Sequence, residues 1–344
     1  MGFFDSLFGG SGTAEHSERL IWNFEAAGKV GSAPNIDGET VYVGCRGARL
    51  ATGKRGAMYA LDLHSGREKW HFRPDTGGFS ASPLVRDGKV FFGSQSGAFF
   101  AVMADTGREL WSFEGPRQID SSPTAFEGLI IVGNDNGNLF AVDSETGNLK
   151  WSFEANDKVH SSPLVLGGSV YCGSDDGNLY ALDARTGTKK WVFHADDAVA
   201  SSPTTDGEVI YVGSQDGNLY AIDSKNGSEK WRYSTREAFY SSPFVSGELV
   251  FCGNIDGSLY AIDRETGRKQ WSFETGGQIL SSPVVSSGLV YFGSWDNHLY
   301  ALEAKSGAKR WDLAIGEPIM STPSVTNDRL VFGGHDENIY CVKI

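Results

Sequence analysis

The sequence repeats itself every forty residues, and that period restricts the fold before any single motif is weighed. GSDDGNLYALDARTGTKKW, from Gly173 to Trp191, returns as GNDNGNLFAVDSETGNLKW ending at Trp151 and GSQDGNLYAIDSKNGSEKW ending at Trp231. It returns again as GNIDGSLYAIDRETGRKQW ending at Trp271 and GSWDNHLYALEAKSGAKRW ending at Trp311. The prolines of a following Ser-Ser-Pro-type unit stand at Pro123, Pro163, Pro203, Pro243, Pro283 and Pro323. A fixed period of this length marks a repeat architecture, in which each unit buries its apolar faces only by stacking on its neighbours.

One repeat reads as four short strands. Residues 162–165 form the first and 169–172 the second, joined through Gly167-Gly168. Residues 178–182 form the third, reached through Asp176-Gly177, a hairpin dipeptide that accepts positive φ. Residues 190–193 form the fourth. Apolar residues on both sides of these strands fit a sheet sandwiched between like sheets. Gly173 is expected to allow close backbone approach, and Gly187 to supply positive φ between the third and fourth strands. Small Ala181 leaves room for a tryptophan ring at the interface between units.

The two ends of the chain complement each other. Ile21-Trp22-Asn23-Phe24 reads as the last strand of a repeat whose first three strands are missing, while residues 321–344 supply three strands and no tryptophan. Trp22 fills that gap, giving eight tryptophans in series: Trp22, Trp70, Trp111, Trp151, Trp191, Trp231, Trp271 and Trp311. Closing the ring on a shared sheet leaves no large apolar end face. The expected fold is therefore all-β: an eight-bladed β-propeller of four-stranded antiparallel blades over residues 19–344, with the N- and C-terminal strands sharing the closing blade. Residues 1–18 are expected to be a flexible tail. Within it, Phe3, Phe4, Leu7 and Phe8 would share one side of a short helix, so residues 3–8 could dock on a partner or touch a membrane surface. Asp5 and the lack of Lys or Arg there weigh against the membrane. Met1-Gly2 with Ser6 also fits the short myristoylation pattern.

The motif A-x-D-x-x-[TSN]-G-x-x-x-W runs from Ala60 to Trp70, Ala141 to Trp151, Ala181 to Trp191, Ala221 to Trp231 and Ala261 to Trp271. It resembles the tryptophan-docking motif of the pyrroloquinoline-quinone (PQQ) propeller repeat family. Met103 and Glu303 replace its Asp in the second and seventh units, and the last unit has Cys341 for Ala and Lys343 for Asp. The resemblance implies an eight-bladed propeller. Quinoprotein dehydrogenases of this fold hold PQQ with a vicinal cysteine pair, a tryptophan platform, a catalytic Asp and calcium ligands from Glu, Asn and Asp. No two cysteines are adjacent here, the long inter-blade insertions are missing, and none of those residues carries over by motif. No cofactor is expected, with PQQ plus calcium as the runner-up. The chain is also similar in plan to the propeller lipoprotein of the outer-membrane β-barrel assembly machinery, which binds partners through loops on one face. It lacks that lipoprotein's signal and lipobox cysteine.

Bulk properties narrow the partners. The formal charge of −13 argues against nucleic acid, which requires a clustered basic surface. The four cysteines, Cys45, Cys172, Cys252 and Cys341, show neither a disulfide framework nor a metal spacing and are expected as reduced, packed thiols. No apolar run reaches transmembrane length. With no basic n-region or long h-region at the N-terminus, a cytoplasmic location is expected, and a periplasmic one only if a signal has been removed.

The strand order places the loops entering each first strand, and the hairpins joining second to third strands, on one side of the disc. Variation concentrates there. Residues preceding the Ser-Ser-Pro units include Asp120, His160, Tyr240, Leu280 and Met320, and hairpin residues include Asp135, Asp175, Ile255, Trp295 and His335. Tyr240, Ile255, Leu280, Trp295, Met320 and His335 would form an apolar side centred on the ninth tryptophan, with the acidic residues opposite. Fourteen residues separate Gly44 from Tyr59, where six separate Gly173 from Tyr180, and this insertion adds Arg46, Arg49, Lys54 and Arg55. An aromatic centre flanked by arginines has the composition of a binding hot spot for a protein or peptide. The Asp-Asp-Gly turns lack the length and terminal Glu of a calcium loop. His160 and His335 lie across the ring and cannot share a metal, and no metal site or catalytic group stands out. The sequence reads as a non-enzymatic interaction scaffold, with a PQQ-binding oxidoreductase or sensor as the alternative.

Overall fold

The computed structural model of the chain describes residues 18–47, 55–74 and 77–344. Among these residues, thirty-two strands pair into eight four-stranded antiparallel sheets. Blades 1 to 7 use consecutive strands over residues 35–72, 84–114, 124–154, 164–194, 204–234, 244–274 and 284–314. Blade 8 pairs Leu20–Glu25 with Asn338–Lys343, followed inward by Arg329–Gly333 and Ser324–Val325. Trp22 stands opposite Cys341 in that register, so the N-terminal strand completes the closing blade.

Only the middle two strands of a blade are apolar on both sides. In blade 4, Val170, Tyr171 and Cys172 and then Leu179 through Leu182 are all buried. The fourth strand departs from the expected two-sided pattern. In blade 3, Lys150, Ser152 and Glu154 face water while Trp151 and Phe153 pack towards blade 4. This strand is the outer edge of the disc, where exposed charges discourage edge-to-edge pairing with another chain.

The tryptophans join the blades. Seven of the eight serial indoles, Trp22 through Trp271, donate to a carbonyl in the turn between the third and fourth strands of the next blade, among them Trp22 to Leu63 at 2.8 Å, Trp70 to Ala104 at 2.9 Å, Trp151 to Ala184 at 3.2 Å and Trp231 to Arg264 at 2.8 Å. The glycine of that turn lies under the ring. A Cβ on Gly187 would stand 2.6 Å from Trp151, and one on Gly227 2.6 Å from Trp191. Gly187 also has φ 70°, as the turn requires, so one residue meets two demands at once. Ala181 pairs with Trp191 across the strands, leaving the ring its place in the interface with blade 5. Blade 8 has no such turn, because its third and fourth strands come from opposite parts of the chain. There Arg19 lies over Trp311, 4.6 Å from the ring centroid, and its Nη1 donates to Lys343 O at 3.4 Å.

The Ser-Ser-Pro units line the inside of the ring. The first serine is buried and receives the N–H of the glycine ending the second strand, as Gly213 donates to Ser201 Oγ at 2.7 Å. The second serine accepts from its counterpart one blade earlier: Ser122 N to Ser162 Oγ, Ser162 N to Ser202 Oγ and Ser202 N to Ser242 Oγ, all at 2.9 Å. Between blades 8 and 1, Ala33 offers no hydroxyl for this bond, and Ser321 Oγ donates to Ser32 O at 2.8 Å, as Ser281 Oγ does to Ser321 O at 2.9 Å. Gly173 makes the close approach expected of it, since a Cβ there would lie 2.2 Å from Val199 O.

Gly187→Ala should lower stability by roughly 2–5 kcal/mol, combining left-handed strain with overpacking against the indole. Gly167 also has positive φ (56°) but open space around its Cβ position, so Gly167→Ala should cost only about 1–2 kcal/mol. Thermal or urea unfolding of both variants measures the difference, and equal losses would show that the ring contact contributes nothing.

Candidate functional site

On the loop face, the hairpin of each blade folds back onto the segment entering that blade. Trp295 N donates to Gln278 O at 2.9 Å, Ile255 N to Ala238 O at 3.3 Å and His335 N to Pro318 O at 3.1 Å. Asp135 N and Asp175 N make the same bond to Gln118 O and Lys158 O, both at 2.9 Å. Tyr240 thereby shares a loop pair with Ile255, Leu280 with Trp295, and Met320 with His335. The hairpins are braced from within. Tyr300 Oη donates to Asp296 Oδ2 at 2.7 Å, and Gly276 N reaches the same oxygen at 2.8 Å. Tyr180 and Asn156 hold Asp176 in the same way. These carboxylates are thus committed to hairpin bonding, which accounts for their passing likeness to calcium-loop fragments.

Trp295 and Tyr240 are each 42% exposed. The other exposed large hydrophobics among the described residues, Ile21, Leu110 and Leu149, lie on outer-edge strands. Ile255, Leu280, Met320 and His335 are half-buried. Arg46 is exposed, and its N–H donates to Lys29 O at 3.0 Å, tying the blade 1 insertion to the segment leaving blade 8. Burial, then the positive charges of Lys29 and Arg46, hold the His335 imidazole below its ordinary pKa. Lys29 was not singled out by the sequence reading. Its part depends on blade closure, which no local motif encodes. Arg55 borders an open groove of about 540 Å³ with Phe24, Tyr59 and Arg73. Arg49 and Lys54 lie outside the described residues, as do residues 3–8.

The opposite side of the face is acidic and more closely knit than its sequence implied. His160 Nδ1 lies 3.1 Å from Asp175 Oδ2, and Nε2 lies 3.0 Å from Asp135 Oδ1. Asp120, Asp135 and His160 place one ligand atom each within 4.8 Å of the others. The hydrogen bond to Asp175 raises the His160 pKa against the opposing effect of burial. The signal was present as arithmetic: each loop residue and its hairpin partner are fifteen apart, and adjacent blades forty apart, so 120, 135, 160 and 175 converge.

The cysteines do not fit the quinone-binding arrangement. Cys45, Cys172, Cys252 and Cys341 are buried in four different blades. Burial pushes the Cys172 thiol up to about 12.

Two family profiles match the chain. One, described as "Beta-alanine-activating enzyme, beta-propeller", matches residues 79–289, more than half of the chain, and the other, described as "Outer membrane protein assembly factor BamB", matches residues 12–122. No curated protein matches it in sequence. Among solved structures, BamB from Moraxella catarrhalis superposes with a TM-score of 0.80 at 19% identity, covering 94% of this chain and 99% of that one. Sqt1 of Saccharomyces cerevisiae gives 0.82 at 12% identity, covering 95% and 99%. A quinohemoprotein alcohol dehydrogenase from Pseudomonas putida HK5 gives 0.77 at 16%, covering 94% and 76%. At these identities the likeness is one of fold.

Asp296 anchors the hairpin that carries Trp295. Burial alone would raise its pKa, but hydrogen bonds from His298, Tyr300 and Gly276 N outweigh it and hold the carboxyl at about 2. A depressed folded-state pKa stabilises the protein above the unfolded value near 4, and that contribution disappears as pH falls from about 4 to 2. Asp296→Asn should remove roughly 2 kcal/mol of this acid dependence, read as a shallower slope of unfolding free energy between pH 5 and 2.

Proposed function

The chain belongs to the PQQ-like repeat β-propellers and matches the propeller family of the beta-alanine-activating enzyme over more than half its length, and on that premise we propose that it is a non-enzymatic scaffold binding a protein or peptide through its loop face. The observation that carries this reading is the exposure of Trp295 and Tyr240 on braced loops, with the Lys29, Arg46 and His335 cluster at the neighbouring blades. Large aromatics on a rigid support bind with little loss of conformational freedom, and arginines beside them add directional hydrogen bonds. The family profile named for an outer-membrane assembly factor supports a role in binding other proteins. Likeness of fold to a quinohemoprotein dehydrogenase supports the second reading, a PQQ-dependent oxidoreductase or sensor. Four buried cysteines in separate blades count against it, because a vicinal cysteine pair cannot form from them.

Two experiments separate the readings. Affinity capture with wild-type chain, Trp295→Ala, Tyr240→Ala and an Arg46/Arg49 double alanine should show partners lost from the variants at unchanged thermal stability. Loss should be at least tenfold for Trp295→Ala, matching the 2 kcal/mol typical of a hot spot. Recovery of the same partners by every variant would remove the loop face from consideration. Titration with PQQ plus calcium should give neither a heat signal nor a shift in quinone absorbance, and a stoichiometric complex would favour the oxidoreductase.

A further inference from the structure

The side chains around His160 are arranged as ligands and their supports. Asp120 Oδ2 accepts a hydrogen bond from Gln118 Nε2 at 2.6 Å, and Asp135 Oδ2 lies 4.0 Å from the Lys158 ammonium. The other oxygen of each carboxylate, Oδ1, is shut off from solvent and receives no hydrogen bond from any described residue. A buried carboxylate oxygen without a donor costs free energy that a cation would recover. His160 Nε2 lies 3.0 Å from Asp135 Oδ1 without hydrogen-bond alignment. Two donors on a tetrahedral ion, with bonds near 2.1 Å, stand roughly 3.4 Å apart, so a shift of a few tenths of an ångström would seat both.

The far nitrogen completes the pattern. Nδ1 lies 3.1 Å from Asp175 Oδ2, and a proton held between them would leave the Nε2 lone pair on the side of Asp120 and Asp135. A carboxylate behind a histidine is the usual means of orienting a metal-ligating imidazole and raising its basicity. Charge points the same way. Among the described residues, the cationic groups paired with Asp120, Asp135 and Asp175 are the half-exposed Lys158 and His160 itself, so a divalent ion with a neutral imidazole would leave the group near neutrality. The His160 side chain is 30% exposed, giving an ion a path in from the loop face.

We propose that Asp120, Asp135 and His160 form a binding site for one divalent first-row transition ion of the zinc class, oriented by Asp175. One imidazole nitrogen among two carboxylates selects such an ion over calcium or magnesium, which take oxygen ligands. Asp120 comes from the segment joining blade 2 to blade 3, Asp135 from the blade 3 hairpin and His160 from the segment joining blade 3 to blade 4, so the ion would also fasten successive loops across the blade 3–blade 4 interface. This site departs from the expectation, formed on the sequence, that the chain offers none, and it does not depend on the scaffold reading.

Calorimetry of tag-free, chelator-treated full-length protein with zinc chloride at pH 7 tests it. One ion per chain should bind, with calcium at least tenfold weaker. His160→Ala and Asp135→Asn should each weaken zinc at least tenfold, and Asp175→Asn, which leaves all three ligands in place, by about 10–100-fold. His64→Ala, on a turn of the other face, should bind as wild type. Cobalt should give a visible ligand-field band in wild type that His160→Ala loses, with circular dichroism showing both folded. Zinc binding unchanged in His160→Ala, no stoichiometric binding in wild type, or calcium binding as tightly as zinc would each overturn the site.

Discussion

An indole ring resting on a glycine that has no Cβ, with its N–H given to a carbonyl of the same turn, joins seven of the eight neighbouring blade pairs. That contact works only if the ring and the turn belong to different sheets, so it rewards nothing until neighbours are in place. Stability therefore accrues by interfaces, as in other repeat proteins, but closure removes the free ends. Trp22 is the piece that closes the circle, bonding forward to Leu63 while its own strand pairs with Asn338–Lys343. Where the closing blade lacks a turn, Arg19 covers Trp311 with a planar cation in place of a glycine.

A frame held this way leaves the loop face rigid but chemically free. Backbone bonds from hairpin to loop and the Tyr–Asp pairs inside the hairpins fix where each variable side chain starts, whatever that side chain is. Tyr240 and Trp295 can then remain exposed without the loops collapsing onto them. The same geometry gathers Asp120, Asp135, His160 and Asp175 from consecutive loops and hairpins. One side of the face is acidic and the other aromatic and basic, an asymmetry that would orient any charged molecule approaching that face.

Proteins that share this fold at under 20% identity include an outer-membrane assembly factor and a quinohemoprotein dehydrogenase, so the fold alone does not choose between binding and catalysis. In this chain the loop face carries large exposed aromatics, and the thiols are buried in separate blades. The proposed scaffold reading rests on those features.

Period, blade count and closure could be read from the chain because each is carried by residue types at fixed spacing: the tryptophans, the turn glycines and the unmatched strands at the two ends. The sidedness of the loops followed from strand order alone. Other features depended on atoms that meet only when sheets stack. Gly187 was recognisable as a turn residue, but its second task, lying beneath Trp151, required the neighbouring blade. The outer strand's polar side appeared once its edge position was known, since a two-sided apolar pattern belongs to strands covered on both faces. Lys29 joined the basic cluster through ring closure across some three hundred residues of chain. His160 came between two carboxylates because loops forty residues apart are neighbours in a ring. Spacing determines which residues repeat, whereas contacts between unlike residues of adjacent blades are set by the curvature of the closed disc, and that curvature exists only in the assembled fold.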